Sequence, residues 1–292
     1  MKTMILACET ITPLFLAGAD GTTPELRAPS IKGALRFWWR AMNGDLVRKE
    51  NGNWNCTQLK EKEGKIFGDT SNKSAIILKI LNEPVENGIE ISLTPHHRNG
   101  YCAPNKPNCK FKNGKYGKCS KSFLKEGKFF NFELMVCFDN KIIEQKDIKK
   151  LVKVTFLLGG LGKRSRRGFG SVKTIKIDNN VVFSSLSEIK SFVGTIIPQN
   201  QGLYPDYPLI KDIQIGKSYN DYKDLLIKIG ESSHLHKDDS LGYARPGKRL
   251  ASPVYTSVIK IDDRYYPIVT TLNNDRFKNT SQQNDYKRAI LL

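Results

Sequence analysis

A glycine-rich, strongly cationic stretch, GGLGKRSRRGFGSV over residues 159–172, constrains this chain more than any other feature. Five of its fourteen residues are glycine, four are cationic (Lys163, Arg164, Arg166 and Arg167) and none is acidic. Glycine lets the backbone adopt positive φ angles and approach another chain closely, whereas neighbouring cations repel one another unless an anion lies among them. The stretch predicts a loop that clamps an RNA or DNA backbone, with N–H and guanidinium groups turned to phosphates. A flexible basic surface loop is the alternative.

Phe169 lies within RGFGSV, a segment that overlaps the start of the RNP1 signature of RRM domains. Ser171 stands where that signature places an aromatic residue, so base stacking on a sheet face of the RRM kind is not expected. Phe169 is expected either to wedge against a base or to anchor the loop in the core.

The charge of the chain supports a polyanionic partner. The 292 residues carry a formal net charge of +18, which indicates nucleic acid or an anionic surface and not a particular fold. Residues 1–180 hold 32 Lys and Arg against 17 Asp and Glu, a net +15, whereas residues 181–292 hold 15 against 12, a net +3. The predicted binding site therefore lies mainly in the first part of the chain.

The chain is expected to be cytoplasmic and without a membrane partner. Glu9 and Pro13 interrupt the apolar N-terminal run, which argues against a signal peptide, and no run is long enough to span a bilayer. Six cysteines without a secretory signal predict reduced thiols.

A second basic element lies on the best predicted helix, for which Ser30 is the expected N-cap. Lys32, Arg36 and Arg40, here called the basic ridge, recur at a spacing of four. Like charges at that spacing destabilise an isolated helix by roughly 0.2–0.5 kcal/mol per pair, so the ridge is easiest to explain if an anion offsets it. Gly33 permits close approach to the helix N-terminus, itself an anion site. The ridge predicts one wall of an RNA groove; a solvated cationic face is the alternative.

Residues 96–128 contain nine basic residues and one acidic residue, with Asn, Pro and Gly throughout, which predicts a long inserted loop. Three thiols and an imidazole can form a Cys₃His zinc site, and the candidates here are His96, His97, Cys102, Cys109 and Cys119. Their spacing is not that of a CxxC pair, and a loop with scattered reduced cysteines is the alternative. No cofactor besides this possible structural zinc is expected.

The hydrophobic pattern predicts an α+β fold with two domains, 1–180 and 181–292, and an insertion at 96–128 in the first. The first part is predicted as a β-α-β-β-α-β series with an additional strand, the ferredoxin-like arrangement. The predicted elements are 5–11, 30–46, 65–81, 85–94, 129–138, 144–158 and 171–177. The second part is predicted as a degenerate unit of the same kind, with a helix capped by Ser185 and Glu188, a helix at 221–229 ending at Gly230 and a strand pair at 254–261 and 265–272. Residues 273–292 are expected to fray.

Two stretches resemble a known family. RAPSIKGALRFWWRA (residues 27–41), after TITPLFLAGAD, and the GGLGKRSRRGFGSV stretch are similar to the RAMP superfamily of CRISPR proteins. The similarity is greatest to the first RAMP subunit of the type III-B (Cmr) effector complex, and PHHRNGYC (95–102) and RLASPVYTSVI (249–259) support it. The resemblance implies two ferredoxin-like, RAMP-type domains in an antiviral ribonucleoprotein. It also implies three partners, namely CRISPR RNA, single-stranded target RNA and the other Cmr subunits.

The resemblance further implies a subunit that does not cleave RNA, contacts the guide near its 3′ end and helps to capture target RNA. The family's glycine-rich loop corresponds to residues 159–170 and its basic loop-helix motif to residues 30–40. The predicted RNA contacts are Ser30, Lys32, Gly33, Arg36, Arg40, Lys163, Arg164, Arg166, Arg167 and Phe169, with Arg98, Arg245, Lys248 and Arg249 as further contacts.

Two other functions stay open at this point. One is a guide-processing endoribonuclease of the same superfamily, in which His96 or His97 would act as general acid or base. The other is a DNA-binding or purely structural assembly subunit.

Overall fold

The computed structural model describes residues 1–16, 25–82, 85–92, 111–112, 115–116, 124–197, 209–236, 238–273 and 281–292. For the residues between 83 and 128 it describes the backbone only. The strands are β1 (Lys2–Thr10), β2 (Arg48–Glu50), β3 (Asn53–Asn55), β4 (Ile76–Asn82), β5 (Val85–Ser92), β6 (Phe111–Lys112), β7 (Lys115–Tyr116), β8 (Leu124–Phe138), β9 (Val172–Ile177), β10 (Asn180–Val181), β11 (Ile210–Ile215), β12 (Tyr243–Arg245), β13 (Lys248–Leu250), β14 (Val254–Ile261) and β15 (Arg264–Leu272). The helices are α1 (Ala28–Met42), α2 (Thr57–Phe67), α3 (Gln145–Leu158), α4 (Leu186–Gly194), α5 (Tyr222–Leu235) and α6 (Ser281–Leu291). None of these described helices combines the length and the apolar run that a membrane span requires.

The first unit is the predicted ferredoxin-like fold. Its principal strands lie in the order β9-β1-β8-β4, all antiparallel, and β10 extends the β9 edge while β5 pairs with the first half of β8. Every second residue of β8 from Phe130 to Phe138 is buried, because a strand covered by helices on one face alternates inward and outward side chains. The predicted division near residue 180 falls at β10.

The second unit is a ferredoxin-like fold without its last strand. The series β11-α5-β14-β15-α6 gives a three-stranded antiparallel sheet in the order β11-β15-β14. Asp262 and Asp263 make the tight turn between β14 and β15 with φ angles of 47° and 56°, a conformation that Asp tolerates better than most residues. The degenerate unit predicted from the sequence is therefore present.

The two units share a core. On β14, Tyr255 and Ile259 belong to the apolar cluster that contains α1 and α3, whereas Val254 and Val258 belong to the cluster that contains α5 and α6. The layers therefore follow the order first sheet, α1 with α3, second sheet, α5 with α6. Residues 154–158 of α3 are all buried, since this helix lies between two sheets.

Three sequence predictions about these elements are wrong. Residues 65–81 are not one strand: α2 ends at Phe67, and its buried residues at spacings of three and four, among them Leu59 and Ile66, pack beside α1. Gly230 does not end α5, which continues to Leu235. The last residues do not fray, because Tyr286 and Ile290 of α6 are fully buried; burial of this apolar area stabilises a helix whose polar composition suggests none.

The start of α1 also differs from the prediction. Arg27, not Ser30, occupies the N-cap position, without a side-chain cap, and the helix begins at Ala28. Pro29 fits the first turn because it has no N–H group to leave unpaired. The predicted cap at Ser185 is confirmed, since its Oγ accepts from the Glu188 N–H at 3.3 Å.

Candidate nucleic-acid interface

The glycine–arginine loop, residues 159–170, connects α3 to β9, and its glycines serve packing within the chain. A Cβ atom on Gly159 would lie 2.5 Å from Nε1 of Trp38, and one on Gly170, whose φ is +62°, would overlap the carbonyl oxygen of Leu161. Glycine is therefore required because protein atoms of the same chain surround the loop. Close approach to a foreign polyanion, the reason expected from the sequence, is not what the packing requires.

The backbone of this loop is also largely bonded to the chain itself. The N–H of Lys163 donates to the carbonyl oxygen of Phe15 at 2.9 Å, and that of Gly168 donates to Thr256 at 2.7 Å. Those of Leu161, Arg167 and Gly170 likewise donate to backbone oxygens. The expectation that the N–H groups are turned to phosphates is wrong for these five residues, which leaves the side chains to meet an anion.

Lys163 and Arg164 are the exposed cations of the loop. Arg164 has a positive φ of 60°, an uncommon conformation for a residue with a side chain. Desolvation by surrounding protein atoms, and then the like charge of Arg167, lower the pKa of the Arg164 guanidinium, which nevertheless remains cationic. Two guanidinium groups held this close favour an anion beside them.

Arg166 and Arg167 are anchored on aromatic rings of the second unit. The Arg166 guanidinium lies 4.5 Å from the ring centroid of Tyr255, and its Nη1 donates to the carbonyl oxygen of Ser252 at 2.8 Å. The Arg167 guanidinium lies 5.1 Å from the ring centroid of Tyr286. Cation–π contacts of this kind contribute about 0.5–2 kcal/mol each. These two cations therefore hold the loop on the second sheet.

Phe169 anchors the loop in the core and does not wedge against a base. Its side chain is 2% exposed, and its ring lies 5.2 Å from that of Phe15. Ser171, beside it, is fully buried, and its Oγ accepts from the N–H of Val258 at 3.0 Å. Ser171, which replaces the aromatic residue of the RNP1 pattern, thus connects the start of β9 to β14 through this hydrogen bond.

The β12–β13 hairpin lies next to the loop and carries the further predicted cations. Arg245, Lys248 and Arg249 are all exposed, and Arg245 pairs with Asp239 at 2.6 Å. Ser252, which the loop contacts through Arg166, follows shortly after β13. The Arg166–Ser252 contact brings the two cationic segments near each other. Their exposed cations are together called the loop–hairpin surface here: Lys163, Arg164, Arg245, Lys248 and Arg249.

The basic ridge of α1 contacts other residues of the first unit. Arg36 pairs with the buried Glu63 of α2, and Arg40 Nη1 lies 3.5 Å from the same carboxylate. Lys32 Nζ donates to Ser74 Oγ at 2.5 Å. The cause is helix geometry, since the ridge lies on the side of α1 away from Trp38, the residue that contacts Gly159. The described contacts of the ridge therefore lie within the first unit, its guanidinium groups stay half-exposed, and the two-walled groove stays a prediction.

Partial burial, followed by the like charge of Arg36, lowers the pKa of Lys32. Ser30 and Gly33 are both exposed near the start of α1, and a Cβ atom on Gly33 would meet nothing within 4 Å. This end of the helix is open to a ligand, but no described contact joins it to the loop–hairpin surface.

Sequence reasoning missed the residues that position these cations. The sequence around Tyr255 and Tyr286 contains no pattern that predicts their contacts with Arg166 and Arg167. For Glu63 the helical spacing could have been informative, because its distance in sequence from Leu59 and Ile66 places it on the buried face of α2.

The zinc candidates and Arg98 lie outside the described residues. Among the residues that the structure describes, no cluster of three His, Cys, Asp or Glu side chains has the geometry of a metal site. The zinc site stays a prediction, which metal analysis of the purified chain would test.

Comparison with known proteins identifies relatives. The family model described as the RAMP superfamily matches residues 7–173. The Pyrococcus furiosus protein named CRISPR system Cmr subunit Cmr1-2 is 44% identical over 88 residues, which is 30% of this chain and 44% of that protein. Cmr1-1 of the same organism is 26% identical over 203 residues, which is 60% of this chain and 50% of that protein. The chain thus spans about half the length of the curated relatives that it matches.

Solved structures show the same fold. The crystal structure of apo Cmr1 from Pyrococcus furiosus aligns with a TM-score of 0.65 and 19% identity, over 99% of this chain and 96% of that one. A chain in the cryo-EM structure of the type III-B Cmr-beta complex bound to cognate target RNA aligns with a TM-score of 0.60 and 14% identity, over 99% of both chains. The α+β architecture expected from the sequence is confirmed.

Proposed function

The chain belongs to the RAMP superfamily, and on that premise we propose that it is a non-catalytic, RNA-binding subunit of a type III-B (Cmr) CRISPR effector complex. The names of its relatives support this proposal, as does the full-length likeness to a chain from a complex bound to cognate target RNA. Its partners would be CRISPR RNA, single-stranded target RNA and the other subunits of the complex.

The loop–hairpin surface is the observation that carries the proposal. It presents five exposed cations on a rigid support, because Arg166 and Arg167 fix the loop on buried or largely buried rings. Lys and Arg side chains bind phosphates without reading sequence. In such a complex, base sequence would be read by pairing between guide and target, and this subunit would hold the ribose-phosphate strand.

Within the complex we place this subunit near the 3′ end of the guide, where it helps to capture target RNA. The resemblance of the loop and of the α1 region to the first RAMP subunit supports that position. The basic ridge would act as a peripheral contact, since its guanidinium groups first neutralise Glu63 and only their exposed sides reach a strand.

A direct binding experiment separates this function from its alternatives. The purified 292-residue chain is mixed with a labelled single-stranded RNA at moderate salt, without added metal, and competed with unlabelled RNA or duplex DNA. We expect RNA binding that weakens as salt rises, displacement by single-stranded RNA more than by duplex DNA, and uncut RNA. Preferential displacement by duplex DNA would overturn RNA binding in favour of DNA binding. Site-specific cuts in repeat RNA that disappear in His96→Ala or His97→Ala would establish the nuclease instead.

Assembly supplies the second test. Co-expression with the remaining subunits of a type III-B complex and a guide RNA is expected to give one particle that contains this chain. A particle that forms without it, while the chain elutes alone, would contradict membership of the complex.

A further inference from the structure

A small cavity of about 30 Å³ opens at the junction of the two units. Apolar side chains from both units line it: Ile11, Phe156, Val182, Ile189 and Ile259. A site for one water molecule needs about 10–15 Å³ on the same measure, so this cavity admits two or three non-hydrogen atoms. It therefore fits the tip of one aliphatic side chain and is too small for a nucleotide base.

The cavity borders an open edge of the first sheet. The N–H of Ile11 donates to the carbonyl oxygen of Ser171 at 2.9 Å, so the backbone groups of Ser171 face β1. Because these groups alternate along a strand, those of Val172 and Thr174, which line the cavity, face the other edge. Among the described residues the strand on that edge, β10, pairs with β9 only from Lys176 onward. The start of β9 is therefore open to pairing with a further strand.

Three lysines also line the cavity, and none of its described lining residues is acidic. They come from α3, β9 and β14: Lys153, Lys173 and Lys260. Aromatic rings hold the first of them, since Lys153 Nζ lies 5.4 Å from the ring centroid of Phe183 and 5.7 Å from that of Phe192. An apolar cavity with cations on its wall is complementary to an apolar side chain that has carboxylates beside it.

The acids near these lysines lie outside the cavity. Glu188 accepts hydrogen bonds from the backbone N–H and the hydroxyl of Ser184, and Glu9 lies opposite Lys173 on β1. Asp263 pairs with Lys260 at 3.1 Å, but its side chain is 95% exposed. An exposed pair of this kind contributes little energy, so a carboxylate of a partner can replace it. None of the three acids lines the cavity, and a ligand that enters it meets the lysines.

We propose that this cavity is a docking site for an extended segment of another protein, in which one aliphatic side chain is flanked by Asp or Glu. The segment pairs with the open edge of β9 as an added strand. Its aliphatic side chain fills the cavity, and its carboxylates lie beside Lys153, Lys173 and Lys260. In the proposed complex this protein is a neighbouring subunit, and to that extent the inference rests on the proposed function.

Fluorescence anisotropy with labelled heptapeptides tests the site in the purified 292-residue chain. The probe has a central leucine flanked on both sides by glutamates. One control peptide carries glycine in place of the leucine, and another carries lysines in place of the glutamates. We expect the probe to bind, the glycine peptide to bind at least tenfold more weakly and the lysine peptide not to bind. Equal affinities of the three peptides would overturn the proposal.

The strand pairing has its own test. Two versions of the probe are methylated on adjacent backbone nitrogens, which removes one N–H donor from each without changing a side chain. One of the two should lose at least tenfold in affinity, because only every second N–H of an added strand reaches β9. Unchanged affinity in both would overturn the pairing with β9.

Charge reversal at the cavity wall tests the lysines. Lys153→Glu with Lys173→Glu should weaken binding of the probe at least tenfold. The matched control is Lys150→Glu with Lys176→Glu, two exposed lysines of the same helix and strand that do not line the cavity; it should bind the probe as the parent chain does. The two variants have the same net charge and should bind single-stranded RNA equally. A loss of RNA affinity confined to the cavity variant would assign its lysines to RNA and overturn the proposal.

Co-expression with the remaining type III-B subunits and a guide RNA separates this inference from the proposed function. The cavity variant should be absent from the particle that the control variant joins. If both variants join the particle, the docking site is overturned and the proposed function stands. If the unchanged chain joins no particle, the proposed function fails, and binding or non-binding of the probe peptide still decides whether the cavity takes an acidic, aliphatic segment.

Discussion

The guanidinium of Arg166 lies 4.5 Å from the ring centroid of Tyr255, and this pair joins the glycine–arginine loop of the first unit to the sheet of the second. Tyr255 also contacts α1, with ring centroids 5.2 Å from Trp38 and 5.4 Å from Phe37. One largely buried ring therefore fixes the loop relative to a helix and a sheet. These contacts of Tyr255 restrain the loop that carries Lys163 and Arg164.

Replacement of Tyr255 should uncouple the loop from its support. Tyr255→Ala removes a 7% exposed aromatic side chain and should lower the free energy of unfolding by about 3–5 kcal/mol. Tyr255→Phe keeps the ring and should cost less than about 1.5 kcal/mol. Urea unfolding followed by tryptophan fluorescence measures both. Similar values for the two variants would show that the ring itself does not hold the loop.

Glycine at position 170 should be indispensable, because it has a positive φ and the Leu161 carbonyl oxygen occupies the space of a Cβ atom. Gly170→Ala should destabilise the fold by more than about 1 kcal/mol for the conformation alone. Gly33→Ala is the control: no atom lies near its Cβ position, and Ala in a helix interior stabilises by roughly 0.5–1 kcal/mol. Thermal unfolding of both variants should give shifts of opposite sign; a harmless Gly170→Ala would contradict the loop packing.

Glu63 should stabilise the basic ridge. Glu63→Gln leaves Arg36 and Arg40 without their shared carboxylate and should lower the free energy of unfolding by about 1–2 kcal/mol. This figure is well below the 3–5 kcal/mol of a fully buried pair, because both guanidinium groups are partly solvated. Glu61→Gln changes an exposed acid on the same helix and should have little effect. Chemical denaturation of both variants, at low and high salt, measures the two changes in the free energy of unfolding. Equal changes in Glu63→Gln and Glu61→Gln would show that the ion pairs of Glu63 with Arg36 and Arg40 do not stabilise the fold.

The thiol of Cys8 gives a prediction about alkaline pH. Burial raises its pKa to about 12, against a smaller opposing effect of the Thr174 side chain. The thiol of the folded state then keeps its proton, whereas the thiol of the unfolded state ionises near pH 9. The contribution of this group to the free energy of unfolding is therefore fully present below pH 9 and is lost progressively between pH 9 and 12. The slope from this group reaches about 1.4 kcal/mol per pH unit. Cys8→Ala should show a shallower decline in unfolding free energy over that range, and identical slopes would exclude the effect.

Local signals predicted much of the fold correctly. The strand pair around Asp262 and Asp263, the helix before the glycine–arginine loop and the cap at Ser185 all depend on neighbouring residues, and each lies close to its predicted place. The helix α6 was missed because its stability comes from burying Tyr286 and Ile290 under α5, a contact remote in sequence.

The candidate site divides in the same way. The cationic composition of the loop could be read directly, and Lys163 and Arg164 are exposed as expected. The surroundings of the basic ridge could not be predicted, because a periodic row of charges on α1 gives no sign of Glu63. This residue lies on α2 and pairs with Arg36 and Arg40. Arg245, Lys248 and Arg249, expected only as further contacts, lie on the β12–β13 hairpin. The loop reaches Ser252, shortly after that hairpin, through Arg166.

The central claim is that the loop and the hairpin together hold the RNA strand, and charge reversal at constant net charge tests it most directly. Arg164→Glu with Arg249→Glu is compared with Lys2→Glu with Lys141→Glu, two exposed cations at the opposite end of the first sheet. The affinity for single-stranded RNA is measured over a series of salt concentrations. The loop–hairpin variant should bind at least tenfold more weakly at low salt, with a salt slope reduced by about 1.4 for two lost phosphate contacts, while the control changes little. Equal losses in the two variants would show that net charge alone attracts RNA and would contradict the claim.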